Sequence, residues 1–183
     1  MKLYHATRKD NLPSIMSEGL KTAHYGDVHG CMEYALSEPC IYLSSRPESG
    51  NLNGNLFEEG GERYEVVVIE IDATGLNPDK FYPDDALYYM IDEDYMEFWE
   101  NEAERPHLIS DFAEHFSMSE DKAERMLSSC YEHGEGHYQH ILKEMWKEYI
   151  EKEGEVAYAA DVPPSAILAI NPYQVSSDAE YEF

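Results

Sequence analysis

Positive charge is what this sequence has least of. Thirteen Lys and Arg stand against 38 Asp and Glu, a formal net charge of -25 over 183 residues. A field of that sign repels phosphate backbones within a Debye length, ~8 Å at physiological salt. It argues against a broad nucleic-acid groove and favours a partner with a basic surface, drawn in by charge. Cysteine is scarce as well. Cys31, Cys40 and Cys130 are odd in number and far apart, a pattern that suits reduced thiols in a cytoplasmic, intracellular protein better than a disulfide framework. Neither a run of ~18 apolar residues nor an apolar N-terminal segment of signal type is present, so no membrane association is expected. What remains is an ordinary globular composition, 43% hydrophobic and 13% aromatic, sufficient for one domain over 1–183 with a sizeable core.

The pattern along the chain predicts an α+β protein. Lys2 to Ala6 reads as a strand. Asp10 or Asn11 can cap a short helix that tolerates Pro13 in its first turn and ends at Gly19. A loop with a helical turn near Met32 to Leu36 leads to a short strand, Cys40 to Ser44. The segment Glu48 to Arg63, rich in Gly and Asn, reads as a loop able to cover a ligand. Tyr64 to Asp72, with Val66-Val67-Val68-Ile69, is apolar on both faces and predicts a central strand. From about 84 to 153 the chain is helical, broken at Pro106 and at Gly134 and Gly136. There Ser117 and Glu120 form a capping box ahead of the stripe Ala123, Met126, Leu127 and Cys130. A second apolar face runs through Ile141, Leu142, Met145, Trp146, Tyr149 and Ile150. Two strands, Glu155 to Asp161 and Ala166 to Ile170, close the pattern around Pro163-Pro164.

Three polar side chains stand on short apolar strands. They are His5 in Leu3-Tyr4-His5-Ala6-Thr7, Tyr42 in Ile41-Tyr42-Leu43-Ser44-Ser45, and Glu155 in Gly154-Glu155-Val156-Ala157-Tyr158. Together the motifs resemble the histidine-tyrosine-glutamate branch of the ADP-ribosyltransferase superfamily. Asp10-Asn11-Leu12-Pro13-Ser14-Ile15 is similar to the opening of the DarT toxins of that superfamily. The resemblance implies a split β-sheet core carrying a helical insertion over about 84–153, and NAD as substrate. It implies that His5 bonds the adenosine ribose, that the Ala6 amide holds the nicotinamide carboxamide, and that Tyr42 stacks on the nicotinamide. It implies further that Thr7, Asn11 and Ser44 line the same NAD site and that Glu155 is the catalytic carboxylate. It also implies a glycosyltransferase that passes ADP-ribose to a macromolecular acceptor, as toxins and phage effectors that modify host machinery do.

Chemistry supports a carboxylate at that position. Cleavage of the nicotinamide glycosidic bond develops oxocarbenium character, which a fixed anion stabilises. Tyr42 stands where DarT toxins carry an arginine, and with the acidic composition this favours a protein acceptor over nucleic acid. Glu153 precedes Glu155 by two residues, as in the arginine-modifying branch. Two other readings stay open: an RNA 2′-phosphotransferase, for which only Arg8 and Arg46 could grip phosphate, and an acidic, non-enzymatic inhibitor on a decayed transferase core. Cys130, His133, His137 and His140 have spacings that zinc could use. Gly134 and Gly136 interrupt the helix that would present them, so no metal is expected.

Overall fold

A computed structural model describes residues 1–22, 38–47, 58–59, 62–134 and 137–173. Among them the expected α+β architecture is present. The strands are β1 (Lys2–Arg8), β2 (Ile41–Ser44), β3 (Glu58–Glu59), β4 (Glu62–Arg63), β5 (Val66–Asp72), β6 (Phe81–Tyr82), β7 (Glu155–Tyr158) and β8 (Ile167–Pro172). Six of them form one antiparallel sheet in the order β6-β7-β2-β1-β5-β8, and β3 pairs with β4 alone. The Val66-Val67-Val68-Ile69 run lies inside the sheet between β1 and β8, and these four residues are buried.

The sheet has a seam. β1 pairs with β5 along its whole length, from Lys2↔Asp72 to Arg8↔Val66, but it meets β2 at one register pair, Tyr4↔Ser44. Two three-stranded halves, β6-β7-β2 and β1-β5-β8, are therefore joined at that pair.

Period-two alternation gives the two faces different coverings. Leu3, Ile41, Leu43, Ile69, Ile71, Val156 and Tyr158 pack with Ile15 of α1 (Leu12–Glu18), Leu20 and Val162. On the other side Tyr82 and Ala157, with partly buried Tyr42, meet the helical segment. Gly19 ends α1 at φ +84, and a Cβ there would lie 2.1 Å from the Val162 carbonyl oxygen. The glycine thus lets Leu20 and Val162 exchange backbone hydrogen bonds at 2.9 and 3.0 Å, joining the first helix to the chain after β7.

The helical segment contains α2 (Ala86–Met90), which widens into π-type turns over Ile91–Met96, then α3 (Arg105–His115), α4 (Glu120–His133), α5 (Tyr138–Leu142) and α6 (Trp146–Lys152). Pro106 does not break a helix. It sits in the first turn of α3, where its missing N–H removes no intrahelical bond. The expected capping box is also displaced. Ser119, extended at ψ 147, is the N-cap of α4 and accepts from the Lys122 amide at 3.3 Å. Ser117 instead takes φ 53 and closes the end of α3, where the Met118 amide bonds the Ala113 carbonyl at 2.9 Å. The stripe Ala123, Met126, Leu127 and Cys130 is buried as the period predicts. The face from Ile141 to Ile150 is split by a 3-10 turn, Lys143–Met145, yet Leu142, Met145, Tyr149 and Ile150 remain buried.

Other expectations shift by a few residues. β1 runs on to Arg8, and the last strands are Glu155–Tyr158 and Ile167–Pro172. The helical turn near Met32 to Leu36 and most of the Gly- and Asn-rich loop lie outside the described residues. No helix among the described residues is long and apolar enough to cross a membrane.

Candidate active site

Glu155 opens β7 directly after Gly154, whose φ is +87. A Cβ at Gly154 would meet Arg46 Nε at 3.1 Å and Ser45 Oγ at 3.3 Å, so the Arg46 guanidinium lies against this turn. The Gly154 carbonyl accepts from the Ser45 amide at 2.6 Å and from Ser44 Oγ at 3.1 Å. Ser44 is fully buried, and its oxygen also accepts from the Arg46 amide at 3.0 Å. Its hydroxyl proton is therefore committed to holding the start of β7. That makes Ser44 the peg that sets Glu155.

Register places Glu155 in a row across the sheet. Ser44 pairs with Glu155 on one side and with Tyr4 on the other. Beyond β2, β7 pairs with β6 at Phe81↔Tyr158 and Tyr82↔Ala157; Asp84 follows β6 by two residues, and Glu155 precedes Ala157 by two. The Asp84 carboxyl lies near enough to Glu155 for the two to affect each other's charge. Burial, with the anionic neighbour Glu155, pushes the Asp84 carboxyl up to about 7. The Asp85 amide also donates to Asp84 Oδ1.

Two register pairs along from Ser44↔Glu155, Tyr42 stands opposite Ala157. Its hydroxyl donates to buried Asp85 at 2.6 Å, which pins the ring. Burial first, then Asp85, raise its pKa far above the ordinary phenol value, so it stays protonated. Tyr149 of α6 is buried and shifted the same way, by burial and then by Asp84. Tyr88 of α2 is buried with no hydrogen-bond partner for its hydroxyl among the described residues. Burial pushes the Cys40 thiol up to about 12, so it is no nucleophile. The wall beside Glu155 is tyrosine-rich and acidic.

His5 occupies the seam. Its Nδ1 lies 2.9 Å from the Tyr42 carbonyl. A carbonyl can only accept, so Nδ1 carries the proton and Nε2 presents a lone pair. The ring supplies a donor where β1 and β2 part. Burial lowers its pKa, which keeps it neutral. From His5 onward the β1 edge facing β2 has no strand partner among the described residues. Ala6 is buried on that stretch, paired with Val68 on the opposite edge. Thr7 is buried and accepts from the Asn11 side-chain amide at 3.1 Å, so Asn11 braces β1 and does not cap α1.

Other candidates are spoken for. Glu153 lies within 2.7 Å of His115 Nε2, tying α3 to the end of α6. Arg8 covers the Tyr64 ring at 3.7 Å. Cys130 sits inside the helical core, while His133 Nδ1 and His137 Nδ1 bond backbone carbonyls at 2.8 and 3.0 Å. Among the described residues no three His, Cys, Asp or Glu side chains are grouped to hold a metal ion.

Sequence reasoning missed Asp84 and Asp85. Their one local signal was an acidic pair directly after Pro83, between a strand and a helix. Comparison with protein-family models, with curated proteins and with solved structures finds no match to this chain.

Proposed function

We propose that the chain is an NAD-dependent ADP-ribosyltransferase with Glu155 as its catalytic carboxylate and a protein acceptor. The observation that carries this reading is the adjacency of β7, β2 and β1, which sets Glu155, Tyr42 and His5 on three neighbouring strands with a seam opening between the last two. Glu155 and His5 stand two strand spacings apart, roughly 10 Å. They are too distant to serve one reacting atom and suited to the two ends of one extended ligand.

The chemistry then divides among the residues. His5 Nε2 accepts a hydrogen bond from a ribose hydroxyl, and the unpaired edge of β1 at Ala6 offers backbone groups to a carboxamide. Tyr42, fixed by Asp85, gives an aromatic surface within an acidic wall, which attracts a cationic pyridinium. Glu155, held by the peg of Ser44, accepts from the nicotinamide ribose 2′-hydroxyl and stabilises positive charge as the glycosidic bond breaks. Nicotinamide leaves and the acceptor nucleophile takes the ribosyl carbon. Arg8 is engaged with Tyr64, which weakens the 2′-phosphotransferase reading. The net charge of -25 disfavours a nucleic-acid acceptor.

The test is incubation of the protein with adenylate-labelled NAD and a cell lysate. Label that survives nuclease and is lost with protease supports the reading. Label lost with nuclease overturns the choice of acceptor. Absence of label in any macromolecule overturns the transferase itself.

A further inference from the structure

Asp85 is the one buried acidic side chain among the described residues, 4% exposed, and it stands at the N-cap of α2. An aspartate in that place ordinarily caps its own helix. This one makes no cap bond. Its carboxylate reaches across to β2, 43 residues away in the chain, and accepts from the Tyr42 hydroxyl at 2.6 Å, a length typical of a bond to an ionised oxygen. A neutral amide oxygen would hold the ring as well. Burying a charge is costly, so bracing the ring leaves the charge itself unexplained. The row it serves is polarised. Tyr82, Ala157 and Tyr42 stand side by side on β6, β7 and β2. Lys143 holds the Tyr82 end, with Nζ 2.9 Å from its hydroxyl and 4.2 Å from its ring centre. Half-buried Tyr42 has the carboxylate behind it.

We propose that Asp85 is a specificity-determining residue: its carboxylate, set behind the Tyr42 ring, makes the site select a cationic ring, and so oxidised NAD over the reduced form, whose nicotinamide ring is neutral. This rests on the transferase reading. Stacking alone discriminates weakly, because both forms offer the tyrosine a flat apolar face. A buried charge discriminates well: at an effective dielectric of ~20, its attraction for a cation stacked on the adjoining ring is worth about a decade of affinity or more. The choice serves the chemistry. When the bond from ribose to the pyridinium nitrogen breaks, its electron pair stays on nitrogen and nicotinamide leaves neutral. The reduced ring has no positive charge to discharge, so bound NADH would only block the site. Once nicotinamide is neutral, the attraction to Asp85 is gone and release is favoured.

Equilibrium binding of NAD and of NADH to the full chain, without acceptor, tests this. Wild type should bind NAD about tenfold or more tighter than NADH. In Asp85→Asn the amide oxygen still accepts from Tyr42, so the ring keeps its brace and loses only the charge. That variant should bind NAD about tenfold more weakly and NADH within about twofold of wild type, so the preference collapses. The net field of the chain acts on both nucleotides in both proteins, so the change in their ratio isolates Asp85.

An unchanged preference in Asp85→Asn overturns the proposal. Equal weakening of both nucleotides overturns it too, being the mark of a residue that only props the ring. The wild-type ratio needs no variant: NADH bound as tightly as NAD overturns the proposal even if Asp85→Asn does not fold. Binding of neither nucleotide overturns the transferase reading and this proposal with it. A preference that collapses in Asp85→Asn, without nicotinamide release by wild type, overturns the transferase reading alone and upholds the cation-selective site.

Discussion

Replacing Glu155 by Gln keeps the shape at the start of β7 and removes one charge. Loss of one preorganised electrostatic contact costs ~3 to 4 kcal/mol in the transition state, so NAD turnover should fall roughly a hundredfold to a thousandfold. Circular dichroism and urea midpoint should stay near wild type, because Val156, Ala157 and Tyr158 still fill the core. Asp84 gives a second prediction, read as stability. Its folded pKa is raised, so the folded chain keeps a proton that the unfolded chain releases above ~4. Stability from this group is therefore lost as pH rises from ~4 to the raised folded value, and is constant above it. Asp84→Asn abolishes the titration. Its stability relative to wild type should increase across that window, by an amount on the order of 2 to 4 kcal/mol at most. Urea unfolding at several pH values measures it, and a constant difference would contradict it.

At the scale of elements, the ends of α3 and α4 offer the sharpest test. Ser119→Ala should cost ~1 kcal/mol by removing the cap on the Lys122 amide. Ser117→Ala should not lose a cap, since Ser117 makes none. Ser117→Gly should be neutral to stabilising, up to ~1 kcal/mol or roughly 2 to 4 °C in Tm, because φ 53 suits glycine. A capping role for Ser117 would reverse the order. The mistaken choice between the two serines shows what local pattern can carry. Ser-x-x-Glu at 117–120 fits the motif, but the turn out of α3 takes the first serine for itself, and nothing in sequence ranks the two uses. The same distinction runs through the site. The strands that carry His5, Tyr42 and Glu155 were legible, because each is a short apolar run. The bracing roles of Ser44 and Asn11, and the nearness of Asp84 to Glu155, were not, because they arise from contacts between segments 70 residues or more apart, or from a turn that redirects a side chain.

For the whole molecule, 38 acidic against 13 basic residues mean that the folded state contends with its own repulsion. Screening shortens the Debye length from ~14 Å near 0.05 M to ~4 Å near 0.5 M salt. The urea midpoint should rise over that range, with the m-value unchanged. A midpoint that falls would mean local ion pairs such as Lys122–Glu148 outweigh the net field. The same field should speed association with a basic acceptor at low salt and slow it at high salt.

The central claim is that the seam between β1 and β2, with Glu155 one strand further on, holds NAD and cleaves its glycosidic bond. Its most direct test is nicotinamide release by the purified full chain, measured for wild type, Glu155→Gln and His5→Ala. The account predicts release by wild type, near-complete loss in Glu155→Gln, and a raised KM for NAD in His5→Ala. Release at the wild-type rate from Glu155→Gln would contradict it.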